Sequence, residues 1–100
     1  MRITVANTFL KRLVGFIGRR DIEAHGAMLF PGCARVHTFF MRAPIDVAIL
    51  DQNMKVLKIF YSVPPWRVVP RVSGAAMCLE VAAGMVARQG IVPGMKIKCV

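Results

Sequence analysis

Acidic residues are scarce in this chain: five Asp and Glu stand against 14 Lys and Arg in 100 residues, leaving a net charge of +9 at pH 7. That balance favours anionic partners. The basic residues are nevertheless dispersed, with only Lys11–Arg12 and Arg19–Arg20 adjacent and no basic run of five, a pattern of a solvated face rather than of a nucleic-acid reading head. Long apolar runs are missing as well. Stretches such as residues 47–50 fall far below the roughly 18 residues that a membrane-spanning helix needs, so no membrane partner is expected. The N-terminal MRITVANTFLKRLVGFIGRR is broken by Asn7, Thr8, Lys11 and Arg12 and carries no small-residue cleavage site, which argues against a secretory leader.

Cysteine is sparse too. Cys33, Cys78 and Cys99 are odd in number and form no C-x-x-C pair, which excludes a disulfide framework and a zinc knuckle and places reduced thiols in the cytoplasm. No G-x-G-x-x-G, G-x-x-x-x-G-K-[ST] or G-x-S-x-G occurs, and no internal repeat. Cys33 and His37 stand about 13 Å apart in an extended chain, too far for a thiol–imidazole pair without a bend. His25, His37, Cys33 and the carboxylates follow no metal-ligand spacing, so neither metal nor cofactor is expected.

Apolar side chains are abundant, at 56%, above the roughly 45–50% of ordinary globular chains. The excess must enter a dense core, a self-association surface that would make a homodimer, or an apolar pocket. A chain of this length is one domain, residues 1–100, with a core that needs no staples.

The segment 37–61, HTFFMRAPIDVAILDQNMKVLKIFY, organises the rest. Rich in Val, Ile, Phe and Tyr, broken at Pro44 and turned at DQNM, it reads as three consecutive strands, with Asn53 suited to left-handed dihedrals in the turn. Further strands are expected at 2–6, 27–30, 75–82 and 95–100. Helices are expected at 9–17, where apolar residues recur at helical spacing after Asn7 and Thr8, and at 84–89, ended by Gly90. The fold class is therefore α+β, mainly antiparallel β: a β sandwich or partly open barrel with two short helices.

Six polar or amphipathic side chains stand out as candidate ligand-binding residues: His37, Arg42, Asp46, Trp66, Arg67 and Glu80. Asp46 sits among apolar residues in a strand pattern, where a carboxylate needs backbone N–H donors or an arginine, with Arg42 and Arg67 as candidates. His37 alternates with Val36 and Thr38 and shares a face with Phe39 and Met41, as a core-edge histidine or as a group in a cleft. Residues 62–74, SVPPWRVVPRVSG, hold three prolines and no periodicity, and a loop that long presenting Trp66 and Arg67 either caps the core or binds something. Glu80 is a second strand-borne carboxylate that could divide acid and base roles with Asp46.

Taken in order, Thr8 with Arg12 and Gly15, GAMLFPG from Gly26, FFMR from Phe39, IDVAILD from Ile45, CLEVAAG from Cys78 and the closing GIVPGMKI resemble the bacterial and archaeal family called domain of unknown function 192, over nearly the whole chain. The resemblance implies a small, mainly antiparallel β sandwich or barrel with short helices and no established activity. It also implies that relatives often carry Gly where Met54 stands and a longer turn before Asp46.

Three functions are open on these grounds. The first is a binding module for a small anionic or polar ligand or a peptide segment, with Arg42 and Arg67 gripping acceptor oxygens, Trp66 covering an apolar face and Asp46 orienting the arginines. The second is a small enzyme using Asp46 or Glu80 with His37 as acid and base. The third is electrostatic binding of nucleic acid.

Overall fold

The computed structural model of the chain describes residues 3–5, 27–32, 36–38 and 43–98. Strands β1 (Ile3–Val5), β2 (Ala27–Pro31), β3 (Ile45–Leu50), β4 (Val56–Val63) and β5 (Met77–Ala82) form one sheet in the order β1-β2-β5-β3-β4. β1 runs parallel to β2, and the other neighbouring strands are antiparallel. The mainly antiparallel β reading therefore holds. Among the described residues the sheet is single and open, with β1 and β4 at its ends, and no second sheet stands there to make a sandwich.

Loop and helix do the covering that a second sheet would have done. On one face Ile45, Val47, Ile49 and Cys78 pack against Val36, Val63 and Val69, with Val72 and Ala75 alongside. On the other, Ala48, Leu50, Leu79 and Val81 pack against Val86, Ile91 and Ile97. β3 is thus buried on both faces along its whole length, which is why IDVAIL reads as an almost unbroken apolar run rather than as an alternation. The prolines of residues 64–70 keep the covering loop from joining a regular ladder.

Of the two expected helices, the described residues contain one, α1 (Met85–Arg88). The other, at residues 9–17, lies outside the described residues, as do Cys33, Arg42 and Cys99. The expected closing strand shrinks to a single bridge between Lys55 and Lys96 within the described residues. Gly94, at φ 89°, turns the chain at the start of that segment. Gly94 N–H then donates to the Val56 carbonyl and Val56 N–H to the Met95 carbonyl, each at 2.8 Å. The chain from 37 to 61 contributes β3 and β4, while His37 makes one bridge, to Val68. In the β3–β4 turn Asp51 Oδ1 accepts from the N–H groups of Asn53 and Lys55, and the left-handed residue is Met54, at φ 67°, rather than Asn53.

Candidate functional site

Asp46 is fully buried, and the cause of its tolerance lies in the register. Ile45 pairs with Val63 but Val47 pairs with Phe60, so β4 carries one extra residue opposite Asp46, a β-bulge, with Ser62 at φ 48°. A bulge leaves a backbone N–H without a ladder partner, and Asp46 Oδ1 accepts that of Ser62 at 2.8 Å. Oδ2 accepts from Gly84 N–H at 3.0 Å and Val86 N–H at 3.2 Å. Gly84 precedes α1 and has no side chain to cap it, so a carboxylate from a neighbouring strand satisfies the first free donors of the helix. Of the two partners expected for Asp46, backbone N–H groups are the ones used. The expected pairing with Arg67 is not made, because both oxygens are already engaged and Arg67 lies on the exposed loop.

The loop is fixed by a residue that the sequence did not single out. Thr38 is completely buried. Its hydroxyl donates to the Pro64 carbonyl at 2.6 Å and accepts from Arg67 N–H at 2.9 Å. Its backbone N–H donates to the Arg67 carbonyl at 2.8 Å, and its carbonyl accepts from Trp66 N–H at 3.0 Å. Val69 N–H donates to the Val36 carbonyl at 2.8 Å, completing a short ribbon between residues 36–38 and 66–69. Held this way, Trp66 takes φ 64° and stays 56% exposed. The residues around Thr38 carry no local signal of this role, because its partners lie 26 and 29 residues away.

His37, Trp66 and Arg67 are all exposed on the ribbon. His37 is exposed and paired with Val68, so it lines the outside of the ribbon instead of the apolar core edge, while Val36 and Thr38 point inward. The Arg67 Nη1 donates to its neighbour's carbonyl, Trp66 O, at 3.5 Å. Glu80 pairs in register with Met28 and Val47 and so projects, buried, to the face that the Val36–Val69 side of the ribbon covers. Asp46 pairs with Val81 and projects to the opposite face. The two strand-borne carboxylates therefore do not converge on one site. Among the described residues no three His, Cys, Asp or Glu side chains gather closely enough to hold a metal ion.

Fold and site together define a small protein built on an open, mainly antiparallel sheet, in which two buried polar residues hold a tryptophan-bearing loop outside the core. The chain belongs to the DUF192 family, described as "Uncharacterized ACR", whose model matches residues 1–99. It is 30% identical to the UPF0127 protein PH1112 of Pyrococcus horikoshii, over 96% of this chain and 85% of that protein. Two crystal structures are similar in fold. One is of a protein of unknown function from Novosphingobium aromaticivorans (TM-score 0.83, 24% identity, 98% of this chain and 74% of the other). The second is of a candidate transcription regulator from Sinorhizobium meliloti (TM-score 0.80, 23% identity, 92% of this chain and 76% of the other).

Proposed function

We propose that this protein is a non-enzymatic binding module of the cytoplasm whose recognition surface is the outer face of the Trp66–Arg67 loop, taking a small anionic or polar ligand or a peptide segment. Trp66 supplies a flat apolar face and Arg67 its guanidinium donors, with His37 on the same ribbon, while Arg42, the other guanidinium expected to take part, lies outside the described residues. Glu80, buried on the sheet face that the loop covers, supports this surface only from within. Asp46 serves this surface indirectly, by holding Ser62 at the loop's entry. The observation that carries the reading is the state of Trp66: more than half exposed, in a left-handed conformation, and pinned by a fully buried threonine. A tryptophan whose purpose was to cap the core would be turned inward, as Val63 and Val69 are. The acid/base reading gains nothing from the geometry, since Asp46 and Glu80 face opposite ways and both Asp46 oxygens accept backbone N–H groups.

A thermal-shift screen over anionic metabolites, sugars and short peptides tests this, because a ligand that binds only the folded chain raises its apparent stability by about 2.7 kcal/mol at a hundredfold excess over Kd. The expected result is at least one ligand whose shift disappears in the Trp66→Ala, Arg67→Gln double variant. A screen without any shift, or a shift that survives the double substitution, rejects the surface.

A further inference from the structure

We propose that the Trp66–Arg67 tip binds a nucleotide unit, with an aromatic base stacked on the indole and its phosphate held by the guanidinium. This rests on the binding surface argued above and names its ligand class. The first ground is strain. An L-residue in the left-handed region costs about 1–2 kcal/mol, a cost that glycine avoids, and Trp66 at φ 64° gains no full burial in exchange. What the position keeps is an outward apolar plane, and an observed backbone outlier of this kind points to function. Rigidity is the second ground. Pro64 and Pro65 precede the tryptophan and Thr38 bonds both Trp66 N–H and Arg67 N–H, so little freedom is lost when a ring stacks there.

The third ground is charge. Dispersal along the sequence conceals how the charges are distributed over the described residues. Every described lysine and arginine side chain is exposed, whereas Asp46 and Glu80 are buried and Asp51 is turned into its own hairpin. The described surface thus presents its cations to solvent and to anions, with a planar donor one residue from the indole. The Arg67 guanidinium makes a single hydrogen bond among the described residues, at 3.5 Å, near the limit of such bonds. A sugar would use the indole and leave the charge idle; a simple carboxylate would use the charge and leave the indole idle. A nucleotide uses both, and stacking of one base on an aromatic side chain is worth about 1–3 kcal/mol.

Free nucleotide and single-stranded nucleic acid share this chemistry, and one titration separates them. Trp66 is the sole tryptophan, so its emission reads the site directly. The full chain is titrated with adenosine monophosphate, an oligothymidylate of about ten residues, adenosine, inorganic phosphate and polyglutamate, at low and high salt. The expected result is saturable quenching by the monophosphate or the oligomer, at least about tenfold weaker for adenosine or phosphate alone. A much tighter oligomer whose affinity falls as salt rises identifies the single strand as the source; equal affinity per nucleotide identifies the free nucleotide. Binding to variants is read by anisotropy of a fluorescein-labelled oligomer or a fluorescent nucleotide. Trp66→Ala and Arg67→Gln should each lose about tenfold or more, and Trp66→Phe should retain part of the affinity, a control that also covers any loss of folding in the alanine variant. The nucleotide proposal is overturned if nucleotides leave the emission unchanged, if polyglutamate competes as well as the oligomer, or if Trp66→Ala binds like the parent. Should another anion bind through Trp66 and Arg67 while nucleotides do not, the surface stands and the ligand class falls; if nothing binds there, both fall.

Discussion

Replacing Asp46 by alanine removes the acceptor for three backbone donors at once, and the structure sets the size of the loss. Val86 N–H is buried where no water replaces the carboxylate, so it bears the full penalty of an unsatisfied donor, roughly 1–3 kcal/mol. Ser62 and Gly84 lie at part-buried positions, where solvent recovers some of the bond, and each forfeits about 0.5–1.5 kcal/mol. Together Asp46→Ala should cost about 2–6 kcal/mol, a large part of the 5–15 kcal/mol typical of a domain. Asp46→Asn is the sharper probe. It keeps the shape and one acceptor, so if the amide oxygen serves Gly84 and Val86, its NH2 faces the Ser62 N–H and one contact turns repulsive; about half the alanine cost is expected. Urea denaturation measures both, with the slope against denaturant unchanged if only stability moves. Native-state hydrogen exchange should show the amides of Ser62 and Val86 losing protection together, although 24 residues separate them. An alanine variant within about 1 kcal/mol of the parent, or an asparagine variant equal to it, refutes the account of Asp46 as the clamp between the β4 bulge and α1.

Thr38→Val keeps the volume but strips Pro64 and Arg67 of their hydroxyl partner, which should cost about 1–3 kcal/mol and lower the fluorescence anisotropy of Trp66; unchanged anisotropy would mean that the tip is held by something else. Met54→Gly relieves a left-handed backbone but gives up a side chain packed on the Leu50–Ile97 cluster, so its stability should lie within about 1 kcal/mol of the parent, whereas Met54→Val keeps the strain and adds a branched Cβ; calorimetry showing valine as stable as glycine contradicts this. Leu79→Ala opens a cavity at a fully buried site between β2 and β3 and should cost about 2–5 kcal/mol, a value that a midpoint shift of only a few tenths of a molar in urea would exclude.

Much of the sheet was legible because its signals are local. The apolar run of β3, the polar turn after it and the alternation of Met77, Leu79 and Val81 against Cys78 and Glu80 are set by neighbours in the chain, and each appears at its expected place. Asp46 was legible as an anomaly and so was the kind of partner it requires. What sequence could not supply was the register between β3 and β5, 35 residues apart at the Asp46–Val81 pair: a single step decides whether Asp46 and Glu80 share a face, and here they do not. The same holds for His37, whose exposure follows from its pairing with Val68, and for Thr38, whose burial follows from the loop folding back over it. Neither contact leaves a trace in the residues beside it.

The two buried polar residues acquire a joint meaning once both are placed. Ser62 and Trp66 are L-residues with positive φ on either side of Pro64–Pro65; Asp46 holds the first and Thr38 the second. Two such dihedrals cost about 2–4 kcal/mol together, which is comparable to what these hydrogen bonds return. The arrangement is therefore nearly neutral for stability, and covering the sheet does not require it, since Val63 and Val69 already seal the face below. Its one distinctive product is a fixed, outward tryptophan next to an arginine. A loop that needed only to cover the core would relax at both positions if Ser62 and Trp66 were glycine and lose nothing. A loop that needs its tip preorganised keeps the strain and the two clamps, and the difference between these cases is an affinity, not a melting temperature.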